Sequence, residues 1–342
     1  MSGELVLGIE SSCDETAAAV VRDGTDILSN VIHSQIDLHR QYAGVVPEIA
    51  SRSHTTRILP VVDAAMAEAG VRPEDLDAIA VTNRPGMIGC LLVGMTAAKS
   101  LSWLHDVPLV GVNHILAHIH AAFMTTPDLA LPCLSLVASG GHTALYHVTA
   151  PGVAERIGTT RDDAAGEAFD KGAAILGLSY PGGPAIEAAA EHGDPTTVMF
   201  PRPLLHKELD FSFSGVKTAL LYHLRGSGLQ REMPTLSQLE VANLAASYQD
   251  AIVDCLVTKL RRAVSQFSSQ SLSIGGGVAC NLRLRDAIAQ DAALSALQHA
   301  FPPLNLCTDN AAMVAGLGTL SVREGNLDDL RLDAAATSRA RA

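Results

Sequence analysis

A pattern of strand, polar turn and strand occurs twice in the chain, and this repeat limits the possible folds more than any other feature. Each copy joins two short apolar runs through a polar turn: 5–9 and 16–21 around 10–15, then 134–138 and 143–148 around 139–142. Both second strands open on a Thr-Ala step, at Thr16 and Thr143. The repeat predicts two similar lobes, residues 1–128 and 129–342, with a cleft between them and with the last helices free to pack back on the first lobe.

The rest of the chain alternates between strand and helix signals, which predicts an α/β protein with mixed sheets. Further strands are expected at 26–32, 77–81, 109–112, 272–274 and 304–307. Helices are expected at 47–69, 87–104, 114–123, 165–176, 184–192, 216–225 and 236–267, and from Asn281 and Asn310 onward. The tail after Leu330 is rich in Ala, Arg and Asp and is expected to fray.

Composition agrees with this class. The chain has 342 residues, 48% of them apolar but only 4% aromatic, so the core consists of Ala, Leu and Val, which suits helices packed on sheets. The six cysteines form no CxxC pair, the acidic N-terminus lacks a signal-peptide pattern, and the longest apolar stretch, 86–98, is too short for a membrane span. A soluble cytoplasmic protein is expected.

The charge balance limits how the chain can bind nucleic acid. A net charge of -12 argues against a protein that coats nucleic acid alone, because phosphate binding needs a basic face. One local strip is basic and contains Arg202, Lys207, Lys217 and Arg225. It is either solvated surface or a contribution to RNA binding.

His114 and His118 are four residues apart in a helical segment, so both side chains leave the same helix face. This spacing suits two ligands of one metal ion, although chance pairing is the competing explanation. Ile115 follows His114, so the HExxH pattern of zinc proteases lacks its general base. Asp309 could complete a two-His, one-carboxylate site, or it could simply be the N-cap of the following helix.

Three glycine-containing turns could bind a nucleotide or could be merely tight turns. Gly275-Gly276-Gly277 follows an apolar strand, Gly182-Gly183 follows Tyr180-Pro181, and Gly140-Gly141 lies in the second hairpin. None matches a Walker A or GxGxxG pattern, which excludes P-loop and Rossmann sites. The segment 212–217 lacks the GxSxG elbow, so a capping Ser before a helix is the better interpretation there.

Taken together, these motifs resemble the TsaD family of tRNA-modifying enzymes, once described as sialoglycoprotein endopeptidases. The motifs that carry the resemblance are GIESSCDET at 8–16, NHILAH at 113–118, SGGHT at 139–143, FDK at 169–171, YPGGP at 180–184, FSFSGVK at 211–217, GGGVACN at 275–281 and CTDN at 307–310. The match runs in order from about residue 5 to 320.

The resemblance implies a two-lobed fold of the actin, sugar-kinase and chaperone-ATPase superfamily, with ribonuclease-H-like lobes. It implies transfer of a threonylcarbamoyl group from L-threonylcarbamoyladenylate to N6 of adenosine 37, in tRNAs that read codons beginning with A, with release of AMP. It also implies TsaB and TsaE as bacterial partners, with TsaC supplying the adenylate.

The resemblance also implies roles for single residues. It assigns one divalent metal ion to His114, His118 and Asp309, with iron (Fe²⁺) favoured and zinc possible. It assigns contacts with the adenylate to Val137, Ala138, Ser139, Gly140, Gly141, Asp170, Gly183, Glu187 and Asn281. Asp14 or Glu15, in the first hairpin turn, could accept the proton of the amine.

Three other functions compete with this one. A metalloendopeptidase would need a base where Ile115 stands. A metal-independent small-molecule kinase and an actin-like nucleotide switch of the same superfamily would have no use for the His pair, so bound metal separates them from the transferase.

Overall fold

The computed structural model describes residues 3–42, 44–203, 208–226 and 228–337. The chain divides into two compact units, which we call the first unit (Met1–Asp128 with Thr308–Ala342) and the second unit (Leu129–Cys307). The strands are β1 Leu5–Glu10, β2 Glu15–Arg22, β3 Asp26–Ser34, β4 Ala78–Arg84, β5 Leu109–Asn113, β6 Cys133–Ala138, β7 Thr143–Ala150, β8 Val153–Thr159, β9 Ser271–Gly275 and β10 Gln298–Ala300. The helices are α1 Ile36–His39, α2 Pro47–Ala69, α3 Ile88–His105, α4 His114–Thr125, α5 Ala165–Ile175, α6 Gly182–Ala190, α7 Ser214–Arg225, α8 Gln238–Gln266, α9 Leu282–Gln290, α10 Leu304–Cys307 and α11 Ala312–Arg323.

Each unit contains one five-stranded mixed sheet, and the two sheets have the same topology. The strand order is β3-β2-β1-β4-β5 in the first unit and β8-β7-β6-β9-β10 in the second. In each sheet three strands form an antiparallel meander, and two parallel strands extend it from the other edge of the first strand. The expected α/β class with mixed sheets is therefore confirmed, and the repeated hairpins are β1–β2 and β6–β7.

Helices pack against both faces of strand β1. Leu7 and Ile9 point into the apolar core formed with α2 and α3, whereas Val6 and Gly8 point toward α11. A Cβ atom on Gly8 would lie 2.2 Å from the carbonyl oxygen of Ala311. Glycine at this position therefore lets the chain that precedes α11 lie directly against the sheet.

The second unit places α5, α6 and α8 around a larger apolar core. The longest helix, α8, begins at a capping box in which Ser237 and Glu240 bond each other's backbone N–H groups. Its Tyr248 is fully buried, and the hydroxyl donates a hydrogen bond to the carbonyl oxygen of Ala168 on α5. This hydrogen bond joins α8 to the start of α5.

Several sequence-based expectations about individual segments were wrong. Residues 304–307, expected as a strand, form helix α10, because Pro302 and Pro303 precede it with φ already close to helical values. The edge position of the sheet is taken instead by β10, which was not predicted; nor was β8. No helix in the described ranges has both the length and the apolar composition that a membrane crossing requires.

The described part of the C-terminal tail is docked rather than frayed, which corrects another expectation. Leu332 packs against the core of the first unit. The Asn83 side chain donates to the carbonyl oxygen of Asp333, and the Ala335 N–H donates to the Asn83 carbonyl oxygen. These bonds hold the tail beside the end of β4.

We expect Gly8→Ala to destabilise the protein by about 1–3 kcal/mol, because its new methyl group would overlap the backbone at Ala311. Gly215→Ala is the matched control: a Cβ there would contact only Pro203, at 3.7 Å, and alanine favours the α7 helix. Thermal unfolding measures both variants. Equal melting temperatures would show that the sheet and α11 do not need this close approach.

Candidate functional site

Helix α4 starts at the end of β5 and brings two histidines into the interior of the first unit. The Asn113 side-chain oxygen accepts hydrogen bonds from the N–H groups of Ile115 and Leu116, at 2.9 and 3.2 Å, and so caps the helix. His114 and His118 follow one turn apart, with ring centroids 4.6 Å apart and ring planes at 85°. Both are buried.

Asp309 lies opposite these two rings. Its Oδ1 atom is 3.0 Å from Nε2 of His118 and 3.6 Å from Nε2 of His114. One ligand atom from each of the three residues lies within 4.8 Å of the other two. The structure thus brings together the three residues expected to bind metal, although they come from distant parts of the sequence.

The alternative role of Asp309 as a helix cap is taken by its neighbour. Asn310 accepts the hydrogen bond from the Met313 N–H at the start of α11, at 3.0 Å. The Asp309 carboxylate is therefore directed at the histidines rather than at the end of the helix.

The donor set fits a divalent metal ion. Two ligand atoms bonded to one tetrahedral ion at about 2.1 Å are about 3.4 Å apart, and the two Nε2–Oδ1 distances, 3.0 and 3.6 Å, lie on either side of this value. Two imidazoles and one carboxylate leave further coordination positions open, which is the arrangement of a catalytic rather than a structural site.

A second buried carboxylate, Glu10, contacts the other nitrogen of His114. Its Oε2 atom lies 3.0 Å from His114 Nδ1, and Ser12 Oγ lies 3.1 Å from the same nitrogen. Burial lowers the pKa of His114, but the charges of Asp309 and Glu10 outweigh it and raise this pKa to about 9. Burial raises the pKa of Glu10, yet His114 and Thr82 bring it below its usual value.

Sequence reasoning missed Glu10, because it assigned this residue to the polar turn. Glu10 is instead the last residue of β1 and is fully buried, and the turn comprises only the four residues that follow. The sequence did contain a signal for Glu10: it is a charged residue that directly follows the apolar run 5–9 and lies within the motif at 8–16.

Asp14 in the first hairpin turn and Glu15 at the start of β2 form a carboxyl pair. Burial raises the pKa of Glu15 well above its usual range, and the charge of Asp14 and a hydrogen bond with it raise it further. Glu15 also accepts a hydrogen bond from Ser34, at 3.1 Å. The two groups can therefore share a proton.

His54 on α2 holds this turn in place, and sequence reasoning missed it as well. Its Nε2 atom is 3.0 Å from the Cys13 carbonyl oxygen and therefore carries the proton, and its Nδ1 atom is 2.7 Å from Thr16 Oγ1. Burial lowers the pKa of His54, which favours this neutral form.

Two of the glycine turns of the second unit lie at the end of β6, where Val137 and Ala138 are buried. The Gly166 N–H on α5 donates to the Ser139 carbonyl oxygen, at 3.1 Å. Gly276 has a φ of 83°, and a Cβ atom there would lie 2.4 Å from the Ala138 carbonyl oxygen. Only glycine permits both features, so the Gly276 turn lies against the end of β6.

Open space surrounds four other glycines of these turns. A Cβ atom at Gly140, Gly141, Gly183 or Gly277 would meet no described atom within 4 Å. Backbone N–H groups in such turns can approach a phosphate closely. The open space beside these four glycines would let the phosphate of a nucleotide reach the backbone N–H groups.

Three polar side chains expected at the adenylate site connect the helices of the second unit. Asp170 accepts from the Gly182 N–H at 2.7 Å, and Glu187 accepts from the Leu282 N–H at 2.6 Å. The Asn281 amide accepts from the Leu284 N–H and donates to Gln249. These bonds bring Asp170, Gly183, Glu187 and Asn281 into one connected group.

One further expectation differs from the structure, and the basic strip is largely paired. The N-terminus of α7 is capped by Asp162, which accepts from Ser212 Oγ, Ser214 Oγ and the Phe213 N–H, rather than by a serine. In the basic strip, Arg202 pairs with Asp250 and Asp254, and Lys217 pairs with Asp163. The Arg225 guanidinium donates to two backbone carbonyl oxygens, and Lys207 lies outside the described residues.

Solved structures similar to this chain show its fold. Component A of the (R)-2-hydroxyglutaryl-CoA dehydratase of Acidaminococcus fermentans aligns with a TM-score of 0.58 at 13% identity, over 94% of this chain and 99% of that one. HypF of T. kodakarensis aligns with a TM-score of 0.62 at 17% identity, over 97% of this chain and 49% of that one. These neighbours confirm the actin, sugar-kinase and chaperone-ATPase class of fold.

Sequence relatives show the family. A chain of Anaeromyxobacter dehalogenans (strain 2CP-C) named tRNA N6-adenosine threonylcarbamoyltransferase is 53% identical over 322 residues, covering 94% of this chain and 95% of its own. One of Trichlorobacter lovleyi with the same name is 52% identical over 334 residues, covering 97% and 96%. The model of the family TsaD, tRNA N6-adenosine threonylcarbamoyltransferase, matches residues 26–316. The chain therefore belongs to the TsaD family.

Proposed function

We propose that this chain transfers the threonylcarbamoyl group of L-threonylcarbamoyladenylate to N6 of adenosine 37, in tRNAs that read codons beginning with A, and releases AMP. The observation that carries the proposal is that His114, His118 and Asp309 lie close enough together to bind one metal ion, in a chain that belongs to the TsaD family. A metal-independent kinase or a nucleotide switch would not need this cluster.

In this proposal, one group of residues holds the metal ion and another group holds the adenylate. In the first unit, His114, His118 and Asp309 hold one divalent ion, Fe²⁺ in preference to Zn²⁺. When bound, the ion supplies a Lewis acid that polarises the carbamoyl carbonyl group of the donor. In the second unit, the backbone N–H groups of the turns at Ser139–Gly141 and Gly183 bind the phosphate of the adenylate. Asp170, Glu187 and Asn281 hold the rest of the nucleotide.

The amine of adenine needs a group that accepts its proton. Its lone pair is delocalised into the ring, so it attacks a carbonyl carbon only when it is oriented and relieved of a proton. Asp14 and Glu15 form a carboxyl pair in the same unit as the His cluster, and His54 fixes the turn that carries them. The proposal gives this pair the role of proton acceptor.

The tRNA substrate fits the chemistry of the proposal. Adenosine 37 lies in the anticodon loop, so its base can be turned outward without opening a duplex. Because the chain has a net charge of -12, it shares tRNA binding with partners. The proposed partners are TsaB and TsaE, with TsaC as the source of the adenylate, in the cytoplasm.

Replacing a proposed metal ligand tests the function directly. In cells depleted of this protein, we expect wild type to restore threonylcarbamoyladenosine in tRNA and His118→Ala not to restore it. Loss of the Lewis acid, which is worth several kcal/mol, should slow the transfer step by about 10³-fold. Mass spectrometry of tRNA nucleosides measures the modification. His192→Ala is the matched control, since His192 is exposed and belongs to the second unit, whereas the cluster lies in the first.

The outcomes separate the competing functions. Restoration by His118→Ala as well as by wild type would keep the transferase but remove the essential role of the metal. Unchanged modification after depletion, in a cell with no second copy of the enzyme, would contradict the transferase and favour the kinase or the switch.

Metal removal gives a second test. We expect a chelator to extract one ion per chain and to abolish transfer, and we expect Fe²⁺ to restore activity better than Zn²⁺ does. Elemental analysis and an in vitro assay with purified adenylate and unmodified tRNA measure the two effects. Full transfer by protein free of metal would be incompatible with the proposed site.

The role of the carboxyl pair is tested by neutral variants of similar shape. We expect Asp14→Asn and Glu15→Gln each to slow single-turnover transfer by about 10²-fold or more, because each removes an oxygen that can accept the proton. Glu48→Gln is the control, since Glu48 is exposed in the first turn of α2. Wild-type rates in both variants would assign the proton to another acceptor.

A further inference from the structure

Glu10 is a fully buried carboxylate that belongs neither to the proposed metal ligands nor to the proton-accepting pair. Its Oε1 atom accepts a hydrogen bond from the Ser12 N–H, at 2.6 Å. Its Oε2 atom accepts one from Thr82 Oγ1, at 2.7 Å, and lies 3.0 Å from His114 Nδ1. A buried carboxylate with this many donors is held in one orientation.

The contact with Glu10 determines which nitrogen of His114 can bind a metal ion. An ionised carboxylate only accepts hydrogen bonds, so the His114 nitrogen that faces it carries the proton. The form of imidazole that binds a metal ion is neutral and carries one proton, so in that form the lone pair is on Nε2. This is the nitrogen that lies 3.6 Å from Asp309 Oδ1.

We propose that Glu10 is a positioning residue for the metal site: it fixes the tautomer and the ring orientation of His114, so that Nε2 faces the ion. This inference rests on the proposed function, since it deepens the same site. Histidine ligands in metalloproteins commonly donate their second nitrogen to a carboxylate in this way, and loss of such partners weakens metal binding.

The charges of the site agree with this role. Glu10 Oε2 lies 3.0 Å from Nδ1 of His114 and Asp309 Oδ1 lies 3.6 Å from Nε2, so two carboxylates lie close to this ring. Two carboxylates neutralise a divalent cation, so a buried site with this pair favours a dication over a monovalent ion.

The second histidine lacks an equivalent partner. His118 Nδ1 is buried and has no hydrogen-bond partner among the described residues. The His118 ring is therefore oriented by helix packing and by its Nε2 contact with Asp309, whereas His114 also has a charged hydrogen bond at its second nitrogen. Loss of Glu10 should consequently act through His114 and not through His118.

The test compares metal affinity in Glu10→Gln and wild type, with Zn²⁺ titrated into the metal-free full-length chain against a chelator of known affinity. The amide of glutamine turns an NH₂ group either toward the Ser12 N–H or toward His114, so one bond is lost in either orientation. We expect about 10–100-fold weaker Zn²⁺ binding. Thr319→Val, which removes a buried hydroxyl group elsewhere in the first unit, should bind within about twofold of wild type.

A double-mutant cycle separates positioning from general destabilisation. In a His114→Ala background, Glu10→Gln should have no further effect on Zn²⁺ affinity, since Glu10 acts through that ring. An equal loss in both backgrounds would overturn the proposal.

A measurement on the wild type keeps the proposal testable if Glu10→Gln does not fold. Long-range ¹H–¹⁵N spectra of histidine-labelled, Zn²⁺-loaded protein report which ring nitrogen is protonated. We expect His114 to show a protonated Nδ1 and a metal-bound Nε2, and the reverse assignment would overturn the proposal.

The outcomes also distinguish this inference from the proposed function. Wild-type Zn²⁺ affinity in Glu10→Gln would overturn the positioning role, whatever the transfer activity. Tight Zn²⁺ binding by wild type, weakened by Glu10→Gln, would support that role even if wild type failed to modify tRNA, and that failure would count only against the transferase.

Discussion

The imidazole of His114 lies between two carboxylates, with Glu10 at one ring nitrogen and Asp309 at the other. Burial of an unpaired carboxylate costs several kcal/mol, so the surrounding chain must supply donors for the fully buried Glu10. For Glu10 these come from the turn after β1, from Thr82 on β4 and from the first residue of α4. The ends of three separate elements are thereby tied to one point.

This arrangement depends on the return of the chain to the first unit after Cys307. The hydrogen bond between His118 and Asp309 joins residues 191 positions apart in sequence. Gly8 permits the close approach of the returning backbone to β1, and α11 then packs on β1, β4 and α4. The metal-ligand cluster is therefore a property of the assembled unit, since no local segment contains more than two of its members.

The parts of the fold that local patterns determine could be predicted from the sequence. Short apolar runs on either side of a polar turn identified both hairpins, and the spacing of His114 and His118 predicted their common face. The failures have a different physical origin. Helix α10 replaced a predicted strand, the tail docked through Asn83, and Asp162 replaced the expected serine cap of α7. The docked tail and the Asp162 cap depend on partners far away in sequence, and the edge taken by β10 is defined only by the assembled sheet.

Glu10 shows why a buried positioning residue is harder to predict than a ligand. A metal ligand can be recognised by its residue type and its spacing from other ligands. A carboxylate after an apolar strand, by contrast, is equally compatible with a solvated turn. What distinguishes the two is whether nearby groups donate to it, and here Ser12, Thr82 and His114 do. The tautomer of His114 follows from those donors. The chemistry of the ligand is thus set by contacts that its own sequence motif does not contain.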